Sequence, residues 1–376
     1  MGRIKADRPR QATMADVARL AGVSTMTVSR LLANPAAVSG ETGERIRQAI
    51  ERLGYVTDRV AGSLSSRRTG FVAAVLPTLA NTNFSDTAHG LTEALRPRGY
   101  QLLIGYTMYD MHEEERIVRA MLARRPEALV LAETLHNKAT TQLLLGAGIP
   151  IVETWEQPER PVDRAVGFSN AEAGRAAARH LIELGHRRIA ALGPADDGPA
   201  CDQRAMRRLD GFAAMLREAG LSDELVIRDG PTPFSFAEGA AALARLLERA
   251  ADVTALFAVS DLSAVGALME CQRRGIGVPD RLSIMGFGDF EIGRVCVPSL
   301  TTVGVDARAI GEDAGRLILE LLDADQVAGS LTRPAALDLG FVVIERGSTC
   351  RAHDDGSGVR LAKHRRDGGK LVARAS

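Results

Sequence analysis

The chain has 376 residues, enough for two or three domains, and its 45% apolar and 25% charged residues are ordinary for a soluble globular protein. The net charge of zero is unevenly spread: residues 1–70 carry 12 Lys and Arg against 6 Asp and Glu, residues 351–376 carry 7 against 3, and the middle is acidic by 10. A basic head on an acidic body points to an anionic partner held at the head, usually nucleic acid, or to a solvated basic tail; no run of about 18 apolar residues occurs, which excludes a membrane-spanning helix.

The first elements in chain order are short helices. In ATMADVARLAGVSTMTVSRLLANP, Thr13 precedes the first apolar residue and Asp16 follows three later, a capping-box start. Val17, Ala18, Leu20 and Ala21 are expected on one face, and Gly22 suits a tight turn. Ser24 can cap a second helix. On it Val28, Leu31 and Leu32 turn inward, Thr25, Met26, Ser29 and Arg30 turn outward, and Pro35 ends the run. A third helix is expected from about Glu41 to Leu53, with Ile46, Ile50 and Leu53 on one side and Gly54 as its stop.

Two short helices joined by a turn of three or four residues, with a third behind them, make a helix-turn-helix arrangement. Its second helix lies in the DNA major groove and offers its first residues to base edges. Arg30 can then pair bidentately with a guanine edge and Met26 can touch a thymine methyl. The hydroxyls of Thr25, Thr27 and Ser29 suit phosphates, which position rather than specify.

From residue 70 the pattern changes. FVAAVLP, QLLIGYT, ALVLA, IPIVETW, RIAALGP, ALFAVS and LSIMGFG read as buried parallel strands separated by helical patterns. Such alternation over some 270 residues gives doubly wound α/β sheets in two subdomains, with ligands at the carboxyl ends of the strands. No Gly-rich dinucleotide fingerprint, phosphate-binding P-loop, zinc-protease motif or nucleophile elbow is present, so no cofactor, metal or catalytic group is expected. Cys201, Cys271, Cys296 and Cys350 form no C-x-x-C pair, which argues against structural zinc and a disulfide framework. The N-terminus lacks the apolar stretch of a signal peptide, so a reducing cytoplasm is the expected location.

Residues 14–64 resemble the DNA-binding head of the LacI/GalR family of bacterial transcription regulators, through the A-x-x-AGVS-x-x-TVSR core and the LGY that follows. The resemblance implies a helix-turn-helix domain over 12–56 and a hinge over 57–69 that folds on operator DNA. It also implies that Leu64 wedges into the minor groove and kinks the duplex. YVTDR replaces the usual Y-x-P-N-R, and Gly62 inside the hinge costs about 1 kcal/mol of helix stability.

GFVAAVLPTLANTNFSD, HLIELGHRRIAALG, VSDLSAVGALMECQRRGIGVPDRLSIMGFGDFEIG and PSLTTVGVDARAIGEDAGRLILELL resemble the family's effector-binding core, which is similar to periplasmic sugar-binding proteins. The expected core spans 70–350, one lobe being 70–168 with 299–331 and the other 169–298 with 332–350. Residues 351–376 are expected as a disordered basic tail.

GYQLLIGYTMYDMHEEERIVRAML, LAETLHNKAT, AVGFSNAEA, MECQRRGI and ALDLGF are similar to the gluconate-utilisation repressors of this family, which implies a sugar-acid effector. Ser169 and Gly288 stand where relatives that bind neutral sugars place aspartates, so a carboxylate ligand meets less repulsion. The resemblance assigns the ligand's carboxylate to Arg204, with Arg207 and Arg208 as rivals. It assigns polyol hydroxyls to Glu133 and His136, pocket walls to Phe84 and Phe168, and further contacts to Asp261 and Asp289. The expected protein is a homodimeric repressor, with RAIGEDAGRLILELL and the helix after the first strand at the dimer interface. It would bind a pseudo-palindromic operator and release or tighten it as a sugar acid closes the lobes. A regulator of the same type responding to another sugar or metabolite is the nearer alternative, and a solute-binding protein the alternative from another class.

Overall fold

The computed structural model describes residues 12–56, 69–195, 200–324 and 336–352. Gly62 and Leu64, residues 57–68 of the expected hinge, and residues 353–376 of the expected tail lie outside them. The chain divides at residue 69 into a head and a core.

The head consists of α1 (Met14–Ala21), α2 (Thr25–Ala33) and α3 (Gly40–Leu53). Both halves of the capping box form: the Asp16 N–H donates to the Thr13 hydroxyl, and the Asp16 carboxylate accepts from the Thr13 N–H at 3.0 Å. Gly22 ends α1 at φ 65°, a left-handed conformation that favours glycine. Three residues later α2 begins, its Thr27 N–H donating to the Ser24 hydroxyl at 3.1 Å. Val17, Ala18, Ala21, Val28, Leu31, Ile46, Ala49 and Tyr55 form one small core. Leu20 departs from the expected inward face and is exposed, because it lies about 100° round the helix from Ala21.

The core carries two six-stranded sheets. The strands are β1 (Phe71–Leu76), β2 (Gln101–Tyr106), β3 (Leu129–Leu131), β4 (Ile151–Thr154), β5 (Arg164–Gly167), β6 (Ile189–Pro194), β7 (Val226–Gly230), β8 (Ala255–Ala258), β9 (Ser283–Phe287), β10 (Thr301–Gly304), β11 (Ala336–Asp338) and β12 (Val342–Ile344). The helices are α4 (Thr82–Leu95), α5 (Met111–Leu122), α6 (Lys138–Leu145), α7 (Asn170–Glu183), α8 (Gln203–Glu218), α9 (Phe236–Arg249), α10 (Asp261–Arg274), α11 (Glu291–Val295) and α12 (Ala307–Ala324).

The first sheet runs β11-β5-β4-β3-β1-β2 and the second β12-β10-β9-β8-β6-β7. All pairings are parallel except β10 with β12. Both lobes thus share one strand order, reversing direction at β1/β3 and at β6/β8. These reversals are the topological switch points at which open α/β sheets hold ligands.

Two details differ from the sequence expectation. β10 pairs with β9 in the second sheet and β11 with β5 in the first, so the lobe boundaries at 299 and 332 are displaced. The chain crosses back to the first lobe only after Gly304, where α12 packs on α4, and returns to the second between β11 and β12. β2 is a half-exposed edge strand rather than a buried one, since no strand among the described residues lies beyond it.

Three helix pairs, α4/α12, α7/α8 and α9/α10, are joined by reciprocal glycines. A Cβ on Gly90 would meet the Arg308 carbonyl and one on Gly311 the Thr87 carbonyl. Gly174 faces Arg208 and Gly211 faces Ala171; Gly239 faces Ser263 and Gly266 faces Phe236. Backbones in contact at these crossings set each helix, and the side chains it carries, against the sheet ends.

Candidate functional site

In the head, α2 is held by the Ser24 cap and by Val28 and Leu31 in the core. Thr25, Met26, Ser29 and Arg30 are therefore exposed together, Met26 by 70%. Thr27 is half-buried, and its hydroxyl hydrogen-bonds the Ser24 hydroxyl at 2.9 Å. It serves the cap and is not an outward-facing group like its neighbours.

In the core, a cavity of about 280 Å³ lies between the strand ends of the two sheets. The turn after β1 contributes Thr78 and Asn81, and the start of α4 Asn83 and Phe84; Tyr109 follows β2 and Trp155 follows β4. The second lobe contributes Asp202, Arg204 and Arg208 at the start of α8, Phe234 to Phe236 before and on α9, Ser260 after β8, and Phe287 and Phe290 around β9. The switch-point rule explains why these distant segments meet. Tyr109 and Trp155 adopt left-handed backbones, φ 65° and 73°, and such backbones gather at functional sites.

Two buried arginines dominate this cavity. Arg204 is 4% exposed and its guanidinium already has a carboxylate: it donates to the Ala132 carbonyl, pairs with Glu133 at 2.8 Å and lies 5.1 Å above the Phe84 ring, while its Nη2 has no hydrogen-bond partner. Asp202 stands 3.6 Å away. The expected carboxylate-binding role of Arg204 thus meets a carboxylate supplied by the protein.

Arg208 is 5% exposed, donates to the Asn170 side-chain oxygen, and lies 4.0 Å from the Phe287 ring centre. No carboxylate among the described residues is in ion-pair contact with it, and its Nε has no hydrogen-bond partner. Burial, the largest effect, pulls its pKa down to about 10, and Asp202 pulls it back up. It remains a cation at neutral pH. Arg207, the other rival, is partly exposed and faces Glu156 at 3.4 Å.

The remaining expected contacts sort by what they touch. Phe84 lines the cavity. Phe168 is wholly buried outside the lining, 6.0 Å from Trp155 and 5.9 Å from Phe287, so it backs two rings that do line it. Glu133 is spent on Arg204.

His136 is clamped between Glu114 at 2.8 Å and Glu153 at 3.4 Å, away from the cavity. Burial lowers its pKa, but the bonds to the two carboxylates outweigh this and raise it to about 9. Asp261 is fully buried behind the lining, accepting from the Thr302 hydroxyl at 2.6 Å and the Phe290 N–H at 2.8 Å. Its neighbour Ser260 both caps α10 and faces the cavity. Asp289, at φ 54°, is turned to Arg294 and Arg346. These three residues have partners within the protein, and none is in the lining of this cavity.

Of the two missing aspartates, the one at Gly288 has a local explanation. Ser169 caps α7 by accepting from the Glu172 N–H, a role an aspartate fills equally well. At Gly288 a Cβ would lie 2.5 Å from the Phe290 ring and 2.9 Å from the Asn83 amide. The sequence reading missed Tyr109, Trp155, Asp202, Phe234, Phe287 and Phe290. The available signal was their place just beyond the strand ends.

The comparisons agree with this architecture. Residues 13–58 match the family described as bacterial regulatory proteins, lacI family, and 178–349 match a periplasmic binding protein-like domain. The chain is 36% identical over 337 residues to the HTH-type transcriptional regulator GntR of Pseudomonas aeruginosa, covering 90% of this chain and 95% of that one. The crystal structure of a LacI-family transcriptional regulator from Silicibacter pomeroyi superposes with a TM-score of 0.82 at 31% identity, over 90% of this chain and all of that one. That of the transcription regulator GntR from Chromobacterium violaceum gives 0.68 at 38% identity, over 74% and 99%. With a three-helix head whose second helix is bare on its outer face and a two-sheet core closed around a cavity, the chain belongs to the LacI family, whose members are DNA-binding transcription regulators rather than enzymes.

Proposed function

We propose that this regulator is a repressor controlled by a sugar acid, gluconate or a close relative, whose carboxylate docks on Arg208 between the lobes. The observation that carries the reading is the state of Arg208: a buried cation at the cavity wall with no carboxylate partner among the described residues and a donor left over. A carboxylate can take bidentate hydrogen bonds from a guanidinium, and Phe287 fixes the plane in which it would lie. Asn81, Asn83, Thr78, Ser235 and Ser260 supply donors and acceptors for hydroxyls, and the aromatic walls suit the C–H faces of a polyol.

Two heads related by a two-fold axis would read a pseudo-palindrome, each placing the start of α2 in a major groove. Effector binding would alter operator affinity by linkage, with coupling of about 1–3 kcal/mol typical. Calorimetric titration of the full chain with gluconate, 2-ketogluconate, 6-phosphogluconate and glucose tests the effector. The acids should bind and glucose should not; tight glucose binding overturns the reading. Footprinting of the chain's own upstream region, with and without gluconate, tests the repressor assignment.

A further inference from the structure

We propose that Arg204 and Glu133 form a latch between the two lobes, holding the cleft shut through the protein's own contacts and gating entry to the cavity. Arg204 belongs to α8, which packs on α7 and β6 of the second lobe. Its guanidinium, however, ends among groups of the first lobe: the Ala132 carbonyl and the Glu133 carboxylate at the end of β3, and the Phe84 ring of α4.

A backbone strap lies beside this pair. The Cys201 N–H donates to the Tyr109 carbonyl at 3.1 Å, and Asp110 and Ala200 form an antiparallel bridge. The segment leading into α8 is therefore laid along the loop that follows β2. Opening the cleft would break the ion pair, the carbonyl bond, the ring contact and the strap together. Arg204 would then keep only Asp202, at 3.6 Å, for its charge.

The energetics favour a two-position device. A buried pair gains little over apolar side chains of the same size, but removing one partner while the other stays buried leaves uncompensated charge and strongly disfavours the closed arrangement. Closure and pairing are then one event. Other polar contacts between the lobes, from the Asn170 side chain to the Trp155 carbonyl at 2.7 Å and the Glu156 carboxylate at 3.0 Å and from Arg207 to Glu156 at 3.4 Å, lie near the chain crossing at 167–170. They would act as part of the pivot. The mouth is thus held by Arg204, Glu133 and the strap. The gating half of the proposal rests on the effector reading above; the latch itself does not.

Hydrogen exchange of the full-length protein tests the latch without any ligand. In the wild type, amides 200–204 should be protected. In Glu133→Gln and in Arg204→Met their exchange should speed up by roughly a hundredfold, with β1 and β6 unchanged. The double variant should lose no more protection than either single one. Unchanged protection at 200–204 in a folded variant, or losses that simply add, would overturn the latch. Glu133→Asp gives a graded version should the others fold poorly.

Gating is read separately from the fluorescence of Trp155, the only tryptophan, which lines the cavity. On mixing with gluconate, the wild-type rate should level off at the opening rate, and Glu133→Gln should raise that plateau at least about tenfold. An identical plateau in the two proteins would overturn the gate. Loss of protection without any gluconate binding would support the latch and overturn the effector reading.

Discussion

The Arg208 guanidinium lies 4.0 Å from the centre of the Phe287 ring, and its Nε has no hydrogen-bond partner. Stacked on one side and unsatisfied on its edge, this group is shaped for a planar anion. Arg208→Met should weaken binding of the acid effector by about 2–5 kcal/mol. Arg208→Lys should fail nearly as badly, because a lysine offers neither the fork nor the stacking plane. Removing a buried cation should leave the melting temperature unchanged or raised. Calorimetry and thermal denaturation check both halves; unchanged acid binding by Arg208→Met would move the role elsewhere in the cavity.

Arg30 stands exposed beside Met26 on the outer face of α2. Arg30→Ala should cost about 1–3 kcal/mol of operator affinity and relax specificity at one base pair in each half-site. Binding to operator and to random duplex, each over a range of salt, separates base reading from phosphate contact. An equal loss on both sequences would assign Arg30 to phosphate.

At Gly211 a Cβ would come within 1.9 Å of the Ala171 carbonyl oxygen. Gly211→Ala must therefore push α8 away from α7, at a cost of about 1–3 kcal/mol or more. Since α8 also carries Arg204 and Arg208, effector affinity should fall in the same variant. Urea unfolding and titration measure the two effects; a wild-type midpoint would show that the crossing relaxes freely.

His136 links stability to pH. Its folded-state pKa is raised to about 9 from an ordinary 6.5, because Glu114 and Glu153 hold the imidazolium against the opposing effect of burial. A raised value favours the protonated folded state. The stabilisation is complete below about pH 6.5 and is lost as pH rises through 9. The urea midpoint of the wild type should fall between pH 6.5 and 9.5 by more than that of His136→Gln, which cannot titrate. Parallel pH profiles for the two proteins would remove His136 as the cause.

What the sequence determined by itself is what local rules govern. The Thr13–Asp16 box, the left-handed stop at Gly22 and the Ser24 cap each depend on residues within a turn or two. The head and its bare recognition face were therefore legible before any coordinates. The seven apolar runs likewise announced β1, β2, β3, β4, β6, β8 and β9, and the alternation with helices announced the α/β class. Short strands such as RAVG and TTVG carried too little apolar pattern to be seen. The lobe boundaries were misplaced because strand exchange between sheets is a matter of pairing, not of local preference.

The cavity chemistry was decided only by the tertiary structure. Arg204 and Arg208 are one helical turn apart and chemically identical in sequence. One meets Glu133, 71 positions earlier in the chain, while the other, among the described residues, meets an amide and a ring. His136, Asp261 and Asp289, expected at the ligand, are partnered within the protein by Glu114, Glu153, Thr302, Arg294 and Arg346. The physical reason is that a buried charge takes its role from whatever neutralises it, and that partner is brought by the fold from anywhere in the chain.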